Sequence, residues 1–218
     1  MPRALFEKTG MAQYISHLDL MRLFQRAFKR AGLNLTHTKG FNPRPSVSIA
    51  LPLSLGVESR CELLDFELEG EKVSNEEICR HLNDALTEGV RVLSVYDDMQ
   101  KIKNLAYLNC QLVLEYDAGV PEDAAEKIRE LFESPSLTVE KKGKNGVTEQ
   151  DIIPMIRRLD VRQEGQEVCL SAMVCCQNPS LNPMQLSAAI VKYLPDLKPD
   201  FVRCCRMEIY DTKETVFR

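Results

Sequence analysis

Hydrophobic and polar positions recur along the chain with two different periods, which together predict an ordered set of helices and strands. After Ser16, apolar residues return every three to four positions until Gly32, as on the buried face of a helix, and Asp19 suits the capping position. Ser74 with Glu77 predicts a second helix in the same way, and Gly89 is expected to end it. Short apolar alternations predict strands over 3–8, 46–51, 61–68 and 90–96. The first half therefore has the order βαββαβ.

The same order recurs in the second half. The predicted elements are a strand over 105–116, a helix opened by Pro121, strands near 137–142 and 167–176, a helix opened by Asn182 and Pro183, and a strand over 201–209. A polar insert near 141–166 separates the two middle strands. Tyr193 is expected on the buried face of the last helix, and Phe201 and Cys205 on the buried side of the last strand.

The repeated order predicts an α+β protein made of two ferredoxin-like halves. In a ferredoxin-like unit, an antiparallel sheet carries two helices on one face and leaves its other face free. The first half is expected to span residues 1–98, with the basic helix and a proline loop. The second is expected to span residues 104–212, with the polar insert.

Composition and charge narrow the class of protein. The 218 residues are 44% hydrophobic and 28% charged, which is typical of a globular protein and excludes a disordered, collagen-like or coiled-coil chain. No apolar run approaches the ~20 residues of a membrane span, and the N-terminal segment lacks the apolar stretch of a signal peptide. With eight cysteines, these features predict a cytoplasmic protein with free thiols and no membrane association.

Basic side chains are concentrated at the start of the chain. Residues 1–60 hold nine Lys or Arg against three Asp or Glu, whereas residues 61–100 hold three against eleven. Four basic residues follow one face of the first predicted helix: Arg22, Arg26, Lys29 and Arg30. A loop that two prolines are expected to hold extended presents Lys39, Phe41, Asn42 and Arg44. A second basic cluster brackets the polar insert and comprises Lys141, Lys142, Lys144, Arg157 and Arg158.

This basic pattern predicts nucleic-acid binding, with one plain alternative. Arginine suits bidentate contact with phosphate, and the ring of Phe41 could stack on a base or pack inward. The alternative is that these charges solvate two protein faces and that the proline loop is structural. No RNP-type motif is present, so sequence-specific readout of a single strand is not expected.

His17 and the cysteines are the remaining residues with chemistry of their own. His17 opens the first helix and could act as a general acid or base in RNA cleavage, or it could be a packed or capping histidine. In the predicted second sheet, Cys110 could form a row with the pairs Cys175–Cys176 and Cys204–Cys205. Free cysteine is more often a small buried hydrophobe than a metal ligand, so neither a metal nor a cofactor is predicted.

Several segments carry a resemblance to a known family. They are Phe6–Gly10, Ile15–Leu20, Gly40–Pro45 and Leu51–Ser59, with later signatures at 151–156 and 180–183. These segments resemble the radical-SAM-linked protein family, whose domain of unknown function is DUF2344. The resemblance implies a setting in RNA metabolism or modification, often beside a radical SAM protein, and no settled activity.

The cysteine spacing and the family context together define the functional hypotheses. A radical SAM cluster needs the spacing CxxxCxxC, which the chain lacks, so this chain is not expected to be the radical enzyme. The first hypothesis is an accessory module that binds transfer or ribosomal RNA and works with a separate radical SAM protein. The alternatives are a metal-independent endoribonuclease that uses His17 and a non-catalytic protein–protein adaptor. The residues do not decide whether the chain is an enzyme, and a role without catalysis is preferred.

Overall fold

The computed structural model describes residues 2–97, 100–143 and 146–218, and it shows a mixed α+β protein. In chain order the elements are β1 (Arg3–Lys8), α1 (His17–Arg30), β2 (Val47–Ile49), β3 (Glu58–Phe66), α2 (Asn75–Ala85), β4 (Val90–Tyr96), β5 (Leu105–Glu115), α3 (Ala124–Phe132), β6 (Thr138–Gly143), β7 (Gly146–Asp151), β8 (Ile156–Glu164), β9 (Glu167–Cys175), α4 (Met184–Tyr193) and β10 (Phe201–Asp211). Short 3₁₀ helices cover residues 10–14, 102–104, 153–155 and 195–197. Among the described residues, no helix is long and apolar enough to cross a membrane.

The chain divides into two compact units. The first comprises Met1–Ile102 with Arg218, and the second comprises Lys103–Phe217. In the first unit the strands lie in the order β4-β1-β3-β2, and every pairing is antiparallel. In the second unit the strands lie in the order β10-β5-β9-β8, again all antiparallel, and β6 pairs with β7 in a separate hairpin.

Both helices of the first unit pack on one core. Alternate strand residues, among them Phe6 of β1 and Phe66 of β3, lie in this core with the apolar faces of α1 and α2. The ring centroids of Phe6 and Phe24 are 4.8 Å apart in an edge-on contact, and those of Phe28 and Phe66 are 4.9 Å apart. The helical and strand periods of the first half are thus confirmed by the burial of the residues that they select.

Helix caps lie where the sequence predicts them. The Ser16 hydroxyl accepts a hydrogen bond from the Asp19 amide at 3.2 Å, which satisfies a free donor at the start of α1. Ser74 and Glu77 form a reciprocal capping box at the start of α2. The Ser16 hydroxyl and then Arg22 hold the pKa of Asp19 below its usual value, so its negative charge is retained near the helix N-terminus.

Gly89 has a different role from the helix stop that its position suggests. The second helix already ends at Ala85, and Gly89 has a φ of +81°. The Thr9 amide donates to the Gly89 carbonyl at 2.8 Å. A Cβ atom on Gly89 would lie 2.5 Å from the Thr9 carbonyl oxygen, so the close approach requires glycine.

Two basic side chains are buried inside the first unit. Arg3 is 1% exposed and pairs with Asp65 through Nε at 2.6 Å and Nη2 at 3.0 Å, while its Nη1 donates to the Gln100 carbonyl at 3.0 Å. Lys8 donates to the Gln13 carbonyl at 3.0 Å, and burial lowers the pKa of Lys8. The Arg3 pair ties β1 to the neighbouring strand β3 and to the segment that follows β4.

The second half departs from the predicted strand set in its middle. The strand near 137–142 exists as β6, but among the described strands it pairs only with β7, in the separate hairpin. The position expected for it, next to β9, is occupied by β8. The predicted polar insert at 141–166 is therefore mostly strand. The polar residues of this segment did not indicate strands because β7 is largely exposed. The strand β8 pairs on one side among the described strands, and most of its charged side chains lie in solvent.

Three finer predictions for the second half are wrong. The third helix begins at Ala124, not at Pro121. Tyr193 is 40% exposed, and its hydroxyl donates to the Thr138 carbonyl instead of packing inward. In the part of β10 before the bulge at 206–208, Cys204 and Arg206 are buried while Phe201 is 53% exposed, so the buried side there is opposite to the predicted one. After the bulge Ile209 is buried, in agreement with the same predicted alternation.

Candidate nucleic-acid interface

The exposed face of α1 carries the four basic residues predicted from the helical period. All four are solvent-exposed, as expected for positions opposite the buried face of α1. Arg22 pairs with Asp19 at 2.9 Å, and Arg30 donates to the Ala85 carbonyl at the end of α2. Among the described residues, no carboxylate lies within ion-pair distance of Arg26 or Lys29. These two cations therefore carry the charge that is available to a ligand.

Arg30 belongs to a different surface feature. With Arg80, His81 and Asp84, it lines a depression of about 430 Å³ next to the C-terminal ends of α1 and α2. The Arg80 guanidinium lies 3.0 Å from the ring nitrogen Nε2 of His81. The Arg30 guanidinium donates to the Ala85 carbonyl and so stabilises the end of α2. Arg30 therefore has a structural role that is not seen for Arg26 and Lys29 among the described residues.

The proline loop is the tip of a short hairpin. We call residues 38–44 the tip loop. The Thr38 amide donates to the Arg44 carbonyl at 2.8 Å, and the Arg44 amide donates to the Thr38 hydroxyl at 3.0 Å. The chain bends through residues 39–42 and does not run extended as predicted. The turn includes Gly40 with a φ of +140°, a conformation that favours glycine.

The base of this hairpin is attached to the sheet of the first unit. The Ser46 amide donates to the Thr36 carbonyl at 2.8 Å. The Thr36 amide in turn donates to the Glu67 carbonyl, and the Glu67 amide donates to the Ser46 carbonyl at 3.1 Å. Both arms of the hairpin thus contact the segment that follows β3, which fixes where the tip loop starts and ends.

The tip loop presents one aromatic ring between cations. Phe41 is 111% exposed, the largest value among the exposed large apolar side chains of the described residues. Lys39, Asn42 and Arg44 are exposed as well. Residues 36–46 contain no acidic side chain. The tip loop therefore offers a flat apolar group, an amide and two positive charges to solvent.

His17 lies at the first position of α1 and is half-buried. Its Nδ1 atom is buried and has no hydrogen-bond partner among the residues that the structure describes. None of the described carboxylates makes an ion pair with His17. An acid–base pair around His17, which general acid–base cleavage would use, is thus not assembled in this structure.

The described side chains of the second predicted basic cluster, those of Lys141, Arg157 and Arg158, all have partners. Lys141 donates to the Ser180 carbonyl at 3.3 Å. Arg157 and Arg158 both pair with Glu214, and the Arg157 guanidinium lies 5.3 Å from the centroid of the Tyr107 ring. Lys142 lies in β6, and Lys144 lies outside the described residues. Glu214 thus offsets part of the positive charge of Arg157 and Arg158.

The cysteine row predicted across the second sheet does not form. Cys110 is paired in register with Ala172 and Arg206, and Cys204 with Leu112. Burial raises the pKa of Cys176 and of Cys204 to about 12 and that of Cys110 further. Within the described residues, no group of three His, Cys, Asp or Glu is placed to hold a metal ion. These thiols behave as buried hydrophobes.

An exposed apolar cluster on the first unit was not predicted from the sequence. Met11 and Tyr14 lie three residues apart in the 3₁₀ helix that precedes α1, which places them on one side of it, and they are 81% and 52% exposed. The Gly56 amide donates to the Gln13 carbonyl at 3.0 Å, and a Cβ atom on Gly56 would lie 4.0 Å from the Tyr14 ring. Leu55, the residue before Gly56, is 64% exposed. In the sequence, these residues could have been found because Met11 and Tyr14 fit the apolar pattern of neither a buried helix nor a strand.

Comparison with known proteins gives one family, and distant similarities to solved structures include the two described below. The family model described as "Uncharacterized protein conserved in bacteria (DUF2344)" matches residues 2–183. No curated protein matches the chain. A chain of a Cbf5-Nop10-Gar1 complex is similar with a TM-score of 0.49 and 10% identity over 95% of this chain, which spans 48% of that one. An unknown protein from Galdieria sulphuraria is similar with a TM-score of 0.26 and 12% identity, covering 97% of this chain and 96% of that one.

Proposed function

We infer that this chain, which belongs to DUF2344, is an accessory RNA-binding module. The family is described only as uncharacterised and conserved in bacteria. The proposed module binds transfer or ribosomal RNA and works with a separate radical SAM protein in RNA modification or processing. Its RNA-binding surface consists of the tip loop and the exposed face of α1, and the module has no catalytic role of its own.

The observation that carries this proposal is the fully exposed ring of Phe41 between two cations. An aromatic ring of this size stabilises a fold only when it is buried, and Phe41 is 111% exposed. Aromatic side chains flanked by Lys and Arg are typical of single-stranded nucleic-acid binding, where rings stack on bases and cations contact phosphates. Arg26 and Lys29 add two exposed charges without carboxylate partners among the described residues.

The two units share one arrangement of strands and helices. Leaving out the hairpin of β6 and β7, each unit has the element order βαββαβ and places its fourth strand beside its first, and its third beside its second. We interpret this as two ferredoxin-like units in tandem. That interpretation concerns the scaffold, since one fold can serve many functions.

The radical SAM partner rests on the family resemblance and on the cysteine chemistry. The eight cysteines do not contain the CxxxCxxC spacing of a radical SAM cluster, so such chemistry would be supplied by another protein. The exposed cluster of Met11, Tyr14 and Leu55 favours a second candidate function, a protein–protein adaptor, because apolar side chains grouped on a surface are typical of docking sites.

The direct test of the proposed function is a titration with transfer RNA at two salt concentrations. With Arg26, Lys29, Lys39 and Arg44 at phosphates, we expect the affinity to fall roughly 50- to 150-fold between about 50 and 200 mM salt, because each contact releases a counterion. Filter binding or fluorescence anisotropy measures it. No binding at the lower salt concentration would contradict the proposal and leave the adaptor as the better candidate.

A further inference from the structure

Phe41 is placed where it cannot contribute to the protein core. The other phenylalanines of the first unit, Phe6, Phe24, Phe28 and Phe66, are fully buried. Phe41 is fully exposed at the end of a hairpin whose base is bonded to the sheet. Exposing a ring of this kind to water is unfavourable, so a ligand that covers it would gain the full apolar contact.

The tip loop is held ready for such a ligand. Two hydrogen bonds between Thr38 and Arg44 close the loop, and Pro43 and Pro45 restrict the backbone on the side that follows Phe41. A loop that is already ordered loses little conformational entropy when it binds. The ring can therefore be presented at a defined position.

The groups around Phe41 match one nucleotide and its backbone. Lys39 and Arg44 can contact the phosphates on either side, and the Asn42 amide offers a donor and an acceptor beside them. In a paired RNA helix the bases are stacked on each other, and the deep, narrow major groove keeps side chains from their edges. A ring at a loop tip can stack only on a base that is not in the helix.

We propose that the tip loop recognises an unpaired nucleotide within a structured RNA, with Phe41 stacked on its base and Lys39 and Arg44 on its flanking phosphates. This inference rests on the proposed function, and it names the feature of the RNA that this site selects. The recognition is by stacking, so it does not depend on which base is unpaired.

The test compares two RNA hairpins, each closed by a flexible linker without nucleotides, that differ by one unpaired nucleotide in the stem. We expect the protein to bind the bulged hairpin about tenfold more tightly than the fully paired one, since stacking on one base is of that size. Phe41→Ala should abolish this preference while leaving the affinity for the paired hairpin unchanged, and Phe41→Trp should retain it. Phe201→Ala removes an exposed ring from the second unit and serves as the matched control, with the preference intact.

The two ways of failing are distinct. Equal affinity for both hairpins, with Phe41→Ala unchanged, would overturn this inference while RNA binding itself stands. Binding of neither hairpin at low salt would overturn the proposed function together with the inference. A preference that Phe41→Ala and Phe201→Ala reduce equally would also overturn the inference, because the effect would then not belong to the tip loop.

Discussion

Replacing Arg3 by methionine is expected to destabilise the protein by about 3 to 5 kcal/mol, because a buried ion pair loses one partner. Arg3 is 1% exposed, and its two bonds to Asp65 are 2.6 and 3.0 Å long. Methionine would fill much of the same volume but leave the 14% exposed Asp65 carboxylate without its guanidinium. The Gln100 carbonyl would lose a donor as well. Urea unfolding of the two proteins measures the difference.

An exposed ion pair serves as the matched control, because it shows how much stability is lost when an arginine is removed from a pair that is not buried. Arg203 pairs with Glu115 and Glu167, but it is 55% exposed, so Arg203→Met should cost at most about 1 kcal/mol. The double variant Arg3→Met with Asp65→Leu should recover most of the lost stability, since apolar residues can replace a buried pair. Equal losses for Arg3→Met and Arg203→Met would refute the role given to the buried pair.

Reversing four charges on the proposed interface is expected to weaken RNA binding by at least about 100-fold. The variant carries Arg26→Glu, Lys29→Glu, Lys39→Glu and Arg44→Glu. Each change removes a contact with phosphate and adds repulsion, and hydrogen bonds to charged groups contribute more than about 1 kcal/mol each. All four residues are exposed, so the fold should be retained, as circular dichroism can check. Anisotropy with transfer RNA at low salt measures the loss.

The control for this variant reverses charges elsewhere. Lys198 and Lys213 are exposed residues of the second unit, and Lys198→Glu with Lys213→Glu changes the net charge by half as much. We expect an effect below about tenfold, because these side chains are not part of the interface. If the control pair costs half or more of the binding free energy that the four interface changes cost, then the binding reflects overall charge and the proposed site is wrong.

Helix faces and caps were the features that the sequence could predict best. Leu20, Phe24 and Phe28 return with the helical period, and Ser16 can cap only where the chain enters the helix. The basic face of α1 follows from the same period, since positions opposite a buried face must be exposed. These predictions succeed because they depend only on neighbours within about one helical turn.

Features that depend on distant partners could not be predicted in the same way. Arg158 and Arg157 resembled a free basic cluster, yet Glu214, which lies more than fifty positions later, pairs with both. The bulge near Arg206 reverses which side of β10 is buried. A prediction from strict alternation of apolar and polar residues does not include such a bulge. The tip loop was expected to be extended, but the hydrogen bonds between Thr38 and Arg44 close it.

The most direct test of whether the tip loop contacts RNA through Phe41 is ultraviolet crosslinking of the protein to transfer RNA, followed by mass spectrometry of tryptic peptides. Because trypsin cleaves after Lys39 and not between Arg44 and Pro45, Phe41 lies in the peptide 40–60. We expect the crosslinked nucleotide on this peptide, at Phe41. In the variant with four reversed charges, Lys39→Glu removes one cleavage site and Phe41 lies in the peptide 31–60, on which we expect no crosslink. Crosslinks that map only to peptides of residues 103–217 would contradict this expectation.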